Sequence, residues 1–597
     1  MNMLQQKGYL LLLGALFAGA CQPAGNHSHP AAMQDSLHQL AARYYDQNMA
    51  LNPLTATQNG ENQYNDQLPI DISEGFRAKA DSFYASYQQA IKGIDTAALS
   101  GNDRITYDML QREFDVNREA LTFHDHLMPV QQFTCLPLTL AQLGSGSSAQ
   151  PFKTAKDYHN FMSRMEKFAI WTDTAIANMR RGIATGYVLP KSLVVKVIPQ
   201  VADLAKKDTA NNVFYAPLKS IPDSLGTEVI TALRTDYAAA VEKYILPSYA
   251  KLRDFMQQEY LPKARTSSGI EAIPDGKAYY AYLIKSWTTT SLTPEAIYAL
   301  GEKEVARIRG EMETVKNSTG FKGDLPAFFA AVRADKKLRI FKTPAAILDS
   351  FKAIENKIMP GVKKMYGRLP KTKFEIRQTE AYRAASASAE YIQGSADGTR
   401  PGVFYVPILD AATFPYTGME CLFLHEAIPG HHFQISLQQE NDSLPKFRRF
   451  SWIGAYGEGY ALYCESLGKE LGLYTDPYMY FGRLTDEIHR AIRLVVDVGL
   501  HAKGWTREQA IQYMMDNEPL STQEATAEIE RYMAIPAQAL SYKIGELKIH
   551  ELRNKYTKEL GSKFSLSAFH DELLKDGCVP LSVLEQKMAR WAESVKQ

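Results

Sequence analysis

The stretch Cys421-Leu-Phe-Leu-His425-Glu426-Ala-Ile-Pro429-Gly430-His431-His432 places three imidazoles and a carboxylate within eight positions, from His425 to His432. Imidazole nitrogens and carboxylate oxygens suit Zn²⁺, and a Glu directly after the first His is placed to act as general base on a water molecule. Further along, Gly457-Glu458-Gly459-Tyr460-Ala461-Leu-Tyr463-Cys464-Glu465 carries two more carboxylates seven positions apart, which a helix presents on one face. The chemistry such groups could do together is metal-assisted hydrolysis of an amide bond.

The spacing departs from the common zinc helix, in which two His four residues apart aim at one ion. Here Pro429 stands four residues after His425. In an unbroken helix His431 would be rotated ~120° from His425, and His432 would lie ~10.5 Å further along the axis. Neither placement suits two ligands with metal bonds of about 2.1 Å. Pro429 lacks an N–H and collides with the preceding turn, while Gly430 tolerates unusual backbone angles. Together they are expected to expel two residues as a bulge, so that His431 takes the place of the missing ligand. His431 is the preferred second ligand and His432 the alternative; whichever is left over hydrogen-bonds substrate or an acid behind the ligands. Glu458 is the expected third ligand to a single Zn²⁺, with small Gly459 and Ala461 letting its helix approach the metal helix closely. Glu465 would orient a ligand imidazole from behind. Cys421 and Cys464 read as small core residues.

The expected roles follow. Glu426 takes a proton from the attacking water and passes it to the leaving amine. Tyr542 is the first choice of donor to the tetrahedral oxyanion, with Tyr532 and His501 as alternatives for the same role and a core tyrosine as the plain reading of Tyr542. Asp497 either steadies a ligand imidazole or pairs with Arg493 one helical turn earlier. Arg531 and Lys543 either hold a peptide carboxylate or are solvated.

These residues need a large scaffold. At 597 residues the chain exceeds one compact core, and helical patterns dominate from Asp35 onward. Leu37, Leu40, Ala41 and Tyr44 fall at three- and four-residue steps, as do Phe161, Met165 and Phe168 within 158–181. Thr293-Pro294-Glu295 offers an N-cap, a Pro at the first helical position and an early acid, opening a helix to about Val315. Segments 345–366, 479–503, 506–516, 521–533 and 583–595 read likewise. The best strand is Gly402–Val406, whose edge beside the site could pair with an extended peptide. The fold class expected is mainly α: a two-lobed helical body with a central cleft and a small β-sheet next to the active-site helix. An N-terminal helical lobe would span 34–270 and a catalytic lobe 271–597.

The first 21 residues differ from the rest. Lys7 is their one charge, Tyr9 to Ala20 is apolar, and Ala18-Gly19-Ala20-Cys21 resembles a lipobox. The apolar run is shorter than the ~20 residues that span a membrane, so it reads as a lipoprotein signal peptide over 1–21 that leaves Cys21 lipidated. Residues 22–33 read as a flexible tether. Export permits disulfides, but the four remaining cysteines are scattered and are expected as buried thiols. A net charge of +1 and 22% charged residues give no electrostatic footprint for nucleic acid.

The motif His425-Glu426-x-x-Pro429-Gly430-His431-His432 with Glu458-Gly459-x-Ala461-x-Tyr463 resembles the bacterial domain of unknown function 885 family. Arg493-Leu-Val-Val-Asp497 running to His501, the Arg531-Tyr532 to Gly545 segment and Gly186-Tyr-Val-Leu-Pro190-Lys191 extend the resemblance over nearly the whole mature chain. The resemblance implies a relative of the helical gluzincin metallopeptidases, which include thimet oligopeptidase and angiotensin-converting enzyme, with a His, His, Glu zinc site. The expectation is a zinc-dependent peptidase of short peptides at the cell envelope, in the manner of a dipeptidyl peptidase or carboxypeptidase. The alternatives are a metal-dependent hydrolase of non-peptide amides and a non-catalytic peptide-binding lipoprotein.

Overall fold

The computed structural model describes residues 30–99, 101–379, 388–394 and 400–597. Cys21 and the leader lie outside them, as does the tether up to His29. The helix Pro30–Leu51 begins inside the stretch assigned to the tether, with Pro30 to Met33 in its first turn. Among the described residues no helix is long and apolar enough to cross a membrane.

The molecule is mainly helical with one three-stranded sheet. The Ala155–Thr185 helix contains the expected 158–181 segment and opens on a capping box between Thr154 and Asp157. Thr293 caps the Pro294–Ser318 helix, its side chain accepting from the Ala296 N–H. The remaining expected helices appear as Pro344–Met365, Pro477–Ala502, Arg507–Asn517, Thr522–Ala534 and Leu581–Lys596, each within two residues or so of its sequence bounds.

The sheet has the order β1-β3-β2, with β1 (Phe374–Gln378) parallel and β2 (Glu390–Ile392) antiparallel to β3 (Gly402–Val406). β3 has the expected bounds, but it is central and both its edges are paired. The expectation that a substrate pairs with the edge of Gly402–Val406 is therefore corrected: its main-chain groups already serve β1 and β2, which hold the two edges. The sheet is fixed through Phe404, which meets Phe351 of the Pro344–Met365 helix and Phe423 of the Met419–Glu426 helix, ring centroids 5.2 and 6.5 Å apart.

One apolar core is built wholly from residues Leu68 to Tyr260. A larger one takes nearly all its members from Ile270 onward and holds both the sheet and the Met419–Glu426 helix. Two long helices run beside this larger core. Pro477–Ala502 is buried along most of its length. Leu540–Leu560 crosses the Gly454–Ser466 helix where Gly459 faces Gly545: a Cβ on Gly459 would fall 2.5 Å from the Gly545 Cα, and one on Gly545 would fall 1.8 Å from the Ala455 carbonyl oxygen. Gly459 thus serves a close helix approach, but the partner that requires glycine is Leu540–Leu560 and not the metal helix. The four cysteines among the described residues are free, and Cys421, Cys464 and Cys578 are buried.

Candidate metal centre

The helix that begins at Met419 ends at Glu426, and a second helix begins at His431. The expected bulge inside one continuous helix is in fact a complete break: Pro429, joined to Ile428 by a cis peptide, and Gly430 form the turn. Gly430 packs directly on the first helix, since a Cβ there would lie 1.9 Å from the His425 carbonyl oxygen. This tight reversal brings the start of the second helix back beside the end of the first. The His425 and His431 rings lie 4.8 Å apart by centroid and at 88° to one another.

Glu458 reaches both from the Gly454–Ser466 helix. One carboxylate oxygen stands 3.6 Å from His425 Nε2 and 3.4 Å from His431 Nε2. One ligand atom from each of the three residues lies within 4.8 Å of the others. Two ligand atoms on a tetrahedral ion at about 2.1 Å are about 3.4 Å apart, so these separations suit a shared cation better than direct hydrogen bonds of about 2.9 Å. The donor set of two imidazoles and a carboxylate fits Zn²⁺. The buried Nδ1 of His431 has no hydrogen-bond partner among the described residues.

The surroundings bias the ligands further. His425 Nδ1 lies 2.7 Å from a Glu465 oxygen, so an N–H there leaves Nε2 free to accept a cation. Burial opposes charge on His425, but Glu458 and Glu465 overcome it and push its pKa well above the ordinary value. Burial likewise opposes charge on Glu458, and the two imidazoles hold its carboxyl well below the usual range. Glu426, buried beside them, is raised above the ordinary carboxylate value by burial, with His425 and His431 opposing. A raised carboxyl is a stronger base when ionised.

His432 does not join the cluster. Its ring stacks on Phe374 of β1 at 4.7 Å, and its Nδ1 lies 3.1 Å from the Tyr391 hydroxyl of β2. Burial lowers its pKa to about 4. Cys421 also stays outside: it is buried behind the centre, where its thiol faces Glu465.

Several expected helpers are engaged elsewhere. Asp497 neither steadies a ligand imidazole nor pairs with Arg493; it accepts from the Tyr280 hydroxyl at 2.6 Å and from the Ala537 N–H at 3.1 Å. Ala537 has φ of 67°, and Asp497 anchors this left-handed turn. His501 is no oxyanion donor, because Nδ1 accepts from the Ile270 N–H at 3.0 Å and Nε2 donates to the Tyr532 carbonyl at 3.1 Å. The Tyr532 hydroxyl donates to Glu528 at 2.6 Å and accepts from Arg493. Lys543 is fully buried and lies 2.7 Å from both Glu487 and Glu546, so it holds no peptide carboxylate. Arg531 binds Glu528 and Gln538. Tyr542, half-buried one turn before Gly545, has its ring under the Arg493 guanidinium at 4.6 Å, and its hydroxyl makes no hydrogen bond among the described residues.

Three neighbours of the centre carried no sequence signal. Trp452 packs edge-on against His431, ring centroids 5.5 Å apart. Arg490 and Asp486 of the Pro477–Ala502 helix lie electrostatically behind Glu465 and Cys421.

A family model described as "Bacterial protein of unknown function (DUF885)" matches residues 53–588. Solved structures similar to the chain include two described as lipoproteins. One is the crystal structure of "the putative lipoprotein from Colwellia psychrerythraea", 28% identical, covering 94% of this chain and 99% of its own, with a TM-score of 0.84. The other, from Shewanella oneidensis and described as of unknown function, is 22% identical over 93% of this chain and 99% of its own, with a TM-score of 0.75, and shares the fold. No curated protein matches the chain.

Proposed function

The chain belongs to the family of bacterial proteins of unknown function (DUF885), and from that premise we propose that it is a zinc-dependent peptidase of the cell envelope. The observation that carries the reading is the convergence of His425, His431 and Glu458 within 4.8 Å, with Glu426 directly following one ligand and Glu465 holding that ligand from behind at 2.7 Å.

In this reading His425, His431 and Glu458 hold one Zn²⁺. When bound, the ion supplies Lewis acidity and makes water a nucleophile near neutral pH. Glu465 fixes the His425 tautomer by accepting its Nδ1–H. Glu426 accepts the proton of the attacking water as the C–O bond forms and gives the tetrahedral oxyanion, then returns it to the leaving amine as the C–N bond breaks. Tyr542 donates to the oxyanion, its hydroxyl being uncommitted where those of Tyr532 and Tyr280 are not.

The gluzincin affiliation, and a two-lobed body with a central cleft for peptides, belong to the same proposal. The separate apolar core of Leu68–Tyr260 supports it. A lipid anchor at Cys21 that holds the exported body at a membrane surface is part of the proposal too. Ala18-Gly19-Ala20-Cys21 is the supporting motif, and the Colwellia relative carries a lipoprotein description.

The test is mass-spectrometric profiling of a defined peptide mixture, with and without a chelator. Chelator-sensitive cleavage of peptide bonds is expected. Turnover confined to non-peptide amides favours an amide hydrolase instead, and bound metal without any hydrolysis favours a binding lipoprotein.

A further inference from the structure

A cavity of about 510 Å³ opens beside the candidate metal centre, between the N-terminal helices and the loop ahead of Glu458. Trp452 joins the two. One side of its indole lies against His431, and a Cβ on Gly457 would fall 2.2 Å from the ring. Glycine at 457 therefore leaves the space in which the indole is wedged between His431 and the first turn of the helix bearing Glu458. Trp452 is still 47% exposed, and it forms part of the cavity wall. Trp287, which is 39% exposed, together with Tyr44, Tyr45 and Phe447, makes the rest of that wall strongly aromatic.

Two charged residues line this chamber. Arg112 is committed to backbone, its Nη2 donating to the Lys285 and Ser286 carbonyls at 3.1 and 3.0 Å. Glu113 accepts from the Tyr44 hydroxyl at 3.2 Å and makes no ion pair among the described residues. Arg112 is an electrostatic neighbour of Glu113 but its guanidinium is drawn to the backbone, and a carboxylate with no contact ion pair, set among aromatic faces, is complementary to an ammonium group. The same faces suit a large apolar side chain, which contributes most when it buries a full ring.

We propose that this chamber receives the amino-terminal end of a peptide, with a large apolar or aromatic side chain against Trp452 and Trp287 and the free α-ammonium at Glu113. The assignment rests on the peptidase reading and adds which chain end and which side chains the site selects.

Wild type, Glu113→Gln and Trp287→Ala are compared on peptides that begin with Phe or with Ala, each with a free or an acetylated amino terminus. Calorimetric binding of the same peptides to Glu426→Gln, alone and combined with each substitution, gives the selectivities without turnover. Wild type should prefer the free terminus over the acetylated one, and Phe over Ala, each by about tenfold or more. The first ratio should fall towards one in Glu113→Gln and the second in Trp287→Ala. Should Trp287→Ala not fold, the terminus ratio in wild type and Glu113→Gln decides the matter. Cleavage with ratios that neither substitution moves overturns the assignment and leaves the peptidase reading standing. Binding that follows these ratios, in a wild type that cleaves nothing, keeps the chamber and removes the peptidase reading. Neither cleavage nor selective binding overturns both.

Discussion

His425 and His501 are both buried histidines on helices, and they differ in what their nitrogens have left to give. His501 has both nitrogens taken by backbone groups, the Ile270 N–H and the Tyr532 carbonyl, and burial lowers its pKa to about 3. His425 has one nitrogen on Glu465, while the other faces His431 and Glu458 across a gap too wide for good hydrogen bonds. The same contrast separates the whole region around the Pro477–Ala502 helix from the centre. Asp497, Tyr532, Arg493 and Lys543 are taken up by neighbouring side chains or the backbone; His425, His431 and Glu458 share a space. A buried polar side chain can bind or react only with valence that the fold has not already used.

The largest effect expected to sharpen this contrast is at Glu426. Glu426→Gln keeps the ligands and removes the base, so kcat should fall by about a hundred- to ten-thousand-fold with metal content unchanged. Steady-state kinetics alongside elemental analysis would show it, and near-normal turnover would refute the base. On the other side of the comparison, Lys543→Met leaves Glu487 and Glu546 without their buried ammonium. A cost of about 3–5 kcal/mol is expected in denaturant unfolding, with no change in metal bound per folded molecule. Loss of metal with unchanged stability would mean that the two regions are not separate. Glu465→Gln lies between them. Weakening the orientation of His425 should reduce metal affinity about 10–100-fold in a competitive chelator titration, and unchanged affinity would make Glu465 merely structural.

The smallest effect concerns pH. Burial raises the Asp497 carboxyl to about 7, with Tyr280 and Ala537 opposing. A carboxyl raised on folding binds its proton more tightly in the native chain. Its contribution is therefore full below about pH 4, its unfolded value, and is lost as pH rises through about 7. Melting temperature should fall more steeply for wild type than for Asp497→Asn across that interval. Parallel curves would place the titration elsewhere.

Much of the centre was legible because its signals are local. The order His-Glu, Pro-Gly, His-His marks where the helix is disturbed, although as a full break and not the expected bulge, and Glu458 and Glu465 are seven apart on one helix. The Gly402–Val406 strand and the Thr293-Pro294-Glu295 helix start are local too, and both appear in the structure. What escaped is set by distant neighbours. β1 and β2 are short, and they close the edges of β3. Asp497 reads as a helper until Tyr280 and Ala537 arrive from remote parts of the chain. Trp452 lies in a loop with no pattern of its own, and only the space at Gly457 and the ring of His431 give it a role. The choice between His431 and His432 likewise waited on the sheet, because Phe374 and Tyr391 draw His432 away.

The central claim is a divalent ion held by His425, His431 and Glu458, and metal stoichiometry tests it most directly. The purified full chain, His431→Ala and His432→Ala are each loaded with Zn²⁺, dialysed and measured by plasma mass spectrometry. One equivalent in wild type and in His432→Ala, with none retained by His431→Ala, is the predicted result. Retention by His431→Ala, or no metal in wild type, would contradict it.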